Sequence, residues 1–336
     1  MTSRILVPVN DQVSALTALE CAMARRWPSR SVFLLCTIVE DLTQVPQLSS
    51  LQHREILLAE QNEHALQMKE WLKQAIELFQ QTFPDAQALM ESGTIPEQIC
   101  SIAKEWSADY ILIGSHTFTP RNRLAIKSVA AQVMAHAPCT VEAVRYPTLR
   151  NLMLNDEIIE ADFIRKAAST PPQRVLVASD LSAPAAGAID WVADQNWPEG
   201  CMVRMICVTA PTRPVRENMT TGDKKVRTYT KENQFLRRLE NELRVQAKRI
   251  VTKQPQLKLE SFLVQADSPA EGIIDQAADW NADLVVTGAQ GENRSTASKA
   301  GSTAIKIMEN IDCSMIAVRQ SLLKSVHYSW YDFDSA

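Results

Sequence analysis

The sequence predicts an α/β protein built as two tandem copies of one domain, each made of βαβ units around a parallel sheet. Three observations carry that prediction: the chain repeats itself, each copy alternates short β-branched runs with helix-like segments, and a glycine-rich loop follows the fourth strand of the second copy. RILVPVN at 4–10 matches RVLVASD at 174–180, and SVFLLCTIV at 31–39 matches CMVRMICVT at 201–209. IPEQICSIAKEWSADYILIGS at 95–115 matches SPAEGIIDQAADWNADLVVTGA at 268–289, and APCTVEAVR at 137–145 matches IDCSMIAVR at 311–319. The offset is 170 at the first strand and 174 at the last, so the length difference lies in the middle of the copy.

In the first copy the β-branched runs predict strands near 4–9, 32–39, 86–91, 109–114 and 140–145. Its second helix, over 51–82, carries LLAEQNEHALQMKEWLKQAIELF with apolar residues at helical spacing. The second copy predicts strands near 174–179, 202–209, 258–264, 283–288 and 314–318, and helices over 183–195, 228–254, 269–280 and 297–310. Pro96 and Pro269 suit a first helical turn, where the absent N–H costs nothing. The domains are expected at 1–146 and 173–320, with a linker at 147–172 and an aromatic, acidic tail at 321–336. Within the linker NDEIIEADFIRKA suits a short helix that Pro171 and Pro172 would stop, and 210–227 reads as a long loop. The tail reads as an aromatic lid on the domain surface.

Composition narrows the function. The 336 residues suffice for two domains, each with its own core. A net charge of −4 lacks the basic excess of a general nucleic-acid binder. No run approaches about 18 apolar residues, so no membrane span is expected, and MTSRILVPVND lacks a signal-like region, which makes a cytoplasmic location the default. Seven cysteines contain no C-x-x-C pair and sit mostly in apolar runs, so they read as buried hydrophobes.

The sharpest functional motif is GAQGENRSTASKAGS at 288–302, a G-x2-G-x9-G-S pattern directly after the strand ADLVVT. The chain has nine glycines, and three fall here. Glycine after a parallel strand lets bare backbone N–H groups approach a ligand, as in phosphate loops that lead into a helix.

With this loop, an opening strand that ends in an acidic residue, and five alternating βα units, the chain resembles the universal stress protein family, twice over and along nearly its whole length. The resemblance implies two tandem open five-stranded parallel-sheet domains with helices on both faces, a Rossmann-like, adenine-nucleotide-binding fold, and in that family the glycine pattern marks the members that bind ATP. It assigns Gly288, Gly291, Gly301, Ser302 and Thr303 to the phosphates, with Arg294 as added charge; Arg294 and Lys299 also read as solvated loop cations. Ala178, Ser179 and Asp180 fall where the family contacts adenosine, and Val208 where its backbone meets the adenine edge. Asp180 equally suits a cap for the following helix. The family also pairs domains through the final strand, so TVEAV (140–144) and SMIAV (314–318) are expected to pair as an internal pseudo-dimer.

The first copy departs from the pattern. GSHTFTPRNRLAIKS keeps Gly114 and Ser128, but Thr117 and Lys127 replace the second and third glycines, and Asn10 stands in place of Asp180. A degenerate site is expected there, although His116, Arg121, Arg123 and Lys127 leave a basic cluster. The Walker pattern is absent and no second acidic motif announces a magnesium site, so at most slow ATP hydrolysis is expected. The leading reading is a stress-response sensor or regulatory module that holds ATP, with Mg as an optional companion, and acts on a protein partner or as a homo-oligomer. The alternatives are an interaction protein with a vestigial site and a weak ATP-hydrolysing enzyme of the same fold group.

Overall fold

The computed structural model describes residues 3–10, 12–40, 51–115, 128–146, 161–211, 222–290, 300–319 and 329–330. The first half contains β1 (Ser3–Pro8), α1 (Gln12–Met23), a short β2 (Arg25–Arg26), β3 (Ser31–Val39), α2 (Leu51–Gln80), β4 (Gln87–Ser92), α3 (Ile95–Glu105), β5 (Tyr110–Gly114), α4 (Val129–His136) and β6 (Thr140–Val144). After α5 (Ala161–Ser169) the second half follows with β7 (Arg174–Ala178), α6 (Ala183–Asp194), β8 (Met202–Thr209), α7 (Gly222–Lys253), β9 (Lys258–Gln265), α8 (Pro269–Asp279), β10 (Leu284–Gly288), α9 (Ser302–Asn310) and β11 (Ser314–Val318). A two-residue strand, β12 (Ser329–Trp330), completes the described elements.

Ten strands form one sheet in the order β4-β3-β1-β5-β6-β11-β10-β7-β8-β9. All neighbours are parallel except β6 and β11, which pair antiparallel with Met315 opposite Ala143 and Ile316 opposite Glu142. The expected pseudo-dimer therefore exists as a continuous sheet, and the edge that each final strand would expose is closed by its counterpart. Strands such as β5 (YILIG) and β11 (SMIAV) are buried on both faces, which is why they read as continuous apolar runs. One core layer joins Val7, Phe33, Phe79 and Trp191 beneath α1, α2, α6 and α7. The other joins Ile99, Ile111, Ile273 and Met308 beneath α3, α4, α8 and α9. Each layer runs through both halves.

The repeat extends to side-chain devices. Asp109 accepts the Arg4 backbone N–H at 2.9 Å, and Asp283 accepts that of Arg174 at 2.9 Å. Trp27 Nε1 donates to Ala22 O and Trp197 Nε1 to Val192 O, each five residues back. Across the seam, Arg145 N donates to Ser314 Oγ at 3.0 Å and Arg319 N to Thr140 Oγ1 at 3.1 Å, a pseudo-two-fold pair. One device has no twin. Arg25 binds Glu142 through both terminal nitrogens at 2.6 and 2.7 Å, and Tyr110 Oη donates to the same carboxylate at 2.7 Å, all within the core. Gln195, Ile316 and Leu284 occupy the equivalent places in the second half.

Two expectations need correction. Residues 222–227 belong to α7 rather than to a loop. Lys224, Lys225 and Arg227 are good helix formers with no Gly or Pro among them, and Asp223 suits the positive end. The last helix begins at Ser302 rather than 297, because Gly301 holds an extended cap conformation, with φ −71° and ψ 150°. The linker helix is present as α5, and residues 147–160 lie outside the described residues. Of the tail, Ser329–Trp330 pairs antiparallel with Arg25–Arg26 of the first half.

Candidate functional site

A cleft of about 370 Å³ opens at the carboxyl ends of β7, β8 and β10, where open α/β sheets place their ligands. Eight of the ten residues expected at the site line it: Ala178, Ser179, Asp180, Val208, Gly288, Gly301, Ser302 and Thr303. Gly291 and Arg294, with the rest of 291–299, lie outside the described residues.

The turn after β7 holds Asp180 at the rim. Leu181 adopts φ 62°, a left-handed conformation that costs a branched residue roughly 1–2 kcal/mol. Ser179 Oγ accepts the Leu181 N–H at 3.1 Å, Asp180 Oδ1 accepts the Ser182 N–H at 3.0 Å, and Gln246 Nε2 of α7 donates to Leu181 O at 3.3 Å. Three hydrogen bonds thus over-determine a strained turn beside the cleft, the setting in which such strain persists. The cap of α6 is Ser182, whose Oγ accepts from Ala185 N, so Asp180 braces the turn rather than capping the helix. Its side chain remains exposed at the cleft.

The base of the glycine loop is closed by Gly301 N donating to Ala289 O at 2.8 Å, while Ala300 N reaches Ala135 O of α4 across the seam at 3.0 Å. Helix α9 then starts at the cleft wall with Gly301 as its cap residue and no side-chain capping bond. Its first turn holds no acidic residue. The opening N–H groups of a helix have no partner within it, and they carry about half a positive charge, so this end favours an anion.

Sequence reasoning missed Thr287. It lines the cleft 5% exposed, and its Oγ1 is buried without a hydrogen-bond partner among the described residues. The signal was legible as the single hydroxyl in LVVTG, opposite isoleucine in YILIG. Ile206 and Ile273 supply an apolar wall, so the cleft combines a greasy side with a helix terminus and hydroxyls.

Six of the seven cysteines are buried, and Cys100 is half-buried. Burial pushes the thiols of Cys21, Cys36, Cys139, Cys201 and Cys313 up to about 12 and that of Cys207 to about 11. Among the described residues no group of three His, Cys, Asp or Glu side chains could hold a metal ion. No described helix is long and apolar enough to cross a membrane.

Fold and cleft together define a doubled α/β domain with ligand clefts at its strand ends. The model of the universal stress protein family matches residues 1–145 and again 172–319, and the chain belongs to that family. Among solved structures it is similar to a universal stress protein from Archaeoglobus fulgidus DSM 4304, at 16% identity and TM-score 0.55 over 94% of this chain and 96% of that one. A functionally unknown protein from Pseudomonas aeruginosa PAO1 follows at 13% identity and TM-score 0.51, over 94% and 92%. A universal stress protein solved in complex with cAMP matches at 16% identity and TM-score 0.30, over 45% of this chain and 100% of that one. No curated protein matches the chain.

Proposed function

We propose that this chain is an ATP-binding sensor or regulatory module of the stress response, with nucleotide held in the second-half cleft. The observation that carries the reading is the uncapped start of α9 behind an intact G-x2-G-x9-G-S loop, on a cleft that Asp180, Thr287 and Ser302 line. The phosphates would lie on Gly288, Gly291, Gly301, Ser302 and Thr303, with Arg294 adding charge. The adenosine would lie against Ala178, Ser179, Asp180 and Val208. Charge-assisted hydrogen bonds of roughly 1.5–3 kcal/mol each would hold the triphosphate. Magnesium is an optional companion, hydrolysis at most slow, and the setting cytoplasmic. The functional units are residues 1–146 and 173–320, joined by a linker at 147–172 and followed by a tail at 321–336. Bound nucleotide would alter the surface that this protein presents to a protein partner or to a second copy.

The test is to heat-denature the purified protein and chromatograph the supernatant for adenine nucleotide, alongside melting curves with added ATP. Saturation at 100 times Kd raises stability by about 2.7 kcal/mol. Gly291→Val abolishes the ATP-induced shift, and Thr117→Val leaves it in place. Absence of both released nucleotide and any shift refutes the reading.

A further inference from the structure

The first half has its own cleft of about 340 Å³ at the same strand ends, and its lining has changed in one chemical direction. Pro8, Ile113 and Val129 line it where Ala178, Thr287 and Thr303 line the other cleft. Those three exchanges remove a backbone N–H and two hydroxyls. At the helix terminus Ser128 Oγ accepts the Ala131 N–H and caps α4 with its own side chain, which satisfies one of the opening N–H groups. With Ile38, Ile95 and Ile99 the interior becomes an apolar slot.

Two acceptors, the Asn10 amide oxygen and the Glu40 carboxylate, remain beside the hydroxyls of Ser14, Ser115 and Ser128. Asn10 Nδ2 donates to Ile38 O at 2.6 Å, which fixes the amide, since the flipped form would set two oxygens against each other. Asn10 Oδ1 is left buried with no hydrogen-bond partner among the described residues, an arrangement that a donor from a ligand would relieve. At the mouth stands Glu40, exposed, in the place that Ala210 takes in the second half, with the exposed His64 of α2 beside it. A carboxylate there repels a phosphate and attracts a cation. Residues 116–127 lie outside the described residues.

We propose that the first-half cleft binds a small, ring-sized apolar amine, its body between the isoleucines and its N–H donors turned toward Glu40 and Asn10 Oδ1, and that it does not take a phosphate ester. The two clefts of one chain then read ligands of opposite charge. Titration calorimetry of the full chain with tryptamine, indole and indole-3-acetate tests this. The expected result is one tryptamine per chain, at least tenfold weaker binding of indole, weaker binding still of the acid, and no displacement by ATP. Glu40→Lys lowers tryptamine affinity at least tenfold and removes the preference over indole-3-acetate. Val129→Trp, at a half-buried wall position, fills the slot and abolishes binding of all three, with an unchanged melting temperature showing that both variants fold. The proposal is overturned if tryptamine does not bind, if amine and acid bind alike, if neither substitution matters, or if ATP competes with tryptamine. Loss of ATP binding in Gly291→Val with tryptamine binding intact keeps this outcome separate from the fate of the second-half reading.

Discussion

Set side by side, the two clefts occupy the same place at the strand ends, but the helices behind them begin differently. In the first half Ser128 stands before α4 and caps it with its hydroxyl; in the second, the equivalent Ser302 lies inside the first turn, and Gly301 leaves the cap position bare. A hydroxyl that satisfies its own helix removes a donor that a ligand could use, so one shared serine serves the fold in one place and leaves the helix end open in the other. The glycines divide in the same way. A side chain at Gly114 would meet the carbonyl oxygen of Ser14 at 1.9 Å, so the packing of β5 against α1 requires this residue. The first glycine of the pattern is therefore retained in both copies for a reason that the fold supplies in the first. The second and third glycines are present in only one copy and are what distinguishes the two loops.

The largest way to break the comparison is at the core device that only the first half has. Glu142→Gln leaves the Arg25 guanidinium buried without its counter-charge and should cost about 3–5 kcal/mol in urea denaturation. Ile316→Val, at the equivalent position, should cost only about 1 kcal/mol. Similar losses at both positions would mean that the ion pair has no special role. Next, Gly114→Ala should destabilise by about 3 kcal/mol through overpacking against a backbone that cannot yield. A near-neutral result would return that glycine to the functional column.

A smaller effect sharpens the reading of the second cleft. Thr287→Ile imports the first-half residue, and should raise stability by about 1 kcal/mol by removing a buried hydroxyl without a partner, while weakening ATP binding about tenfold. Melting curves and calorimetry check the two halves of that statement separately. If stability rises and affinity does not change, Thr287 does not face the nucleotide.

The smallest effect concerns pH. The Cys36 thiol rises from 9.0 to about 12 because burial disfavours its thiolate. The unfolded chain then loses this proton at lower pH than the folded one. Stability is unaffected below about pH 9 and falls as pH rises from there toward 12, by up to about 1.4 kcal/mol per pH unit for each such thiol. Cys36→Ala should make that decline shallower in alkaline denaturation, and an unchanged slope would refute the burial argument.

Much of this was legible in the residues. The repeat and the alternation of strands and helices follow from patterns that are local or duplicated, and a duplicated pattern is its own control, whereas the β6–β11 seam was expected from the family resemblance. Eight of the expected site residues meet in one cleft because each sits at the end of a strand or the start of a helix, positions that alternation makes countable. Thr287 escaped because a lone hydroxyl in an apolar run looks like any β-branched strand residue, and only burial reveals that its oxygen lacks a partner. The start of α7 escaped because Pro211 and Pro214 and the glycine at 222 read as a loop, while charge and propensity extend the helix back to Gly222.

By itself, then, the sequence determined two βα repeats and a phosphate-loop pattern kept in one of them, since periodicity and spacing are properties of neighbouring residues. Tertiary structure alone decided the Arg25–Glu142–Tyr110 cluster, the return of Ser329–Trp330 to the first half, and the different linings of the two clefts. Each of these depends on groups far apart in the chain. Their energies come from burial and from the partners that burial provides or withholds, which no local pattern encodes.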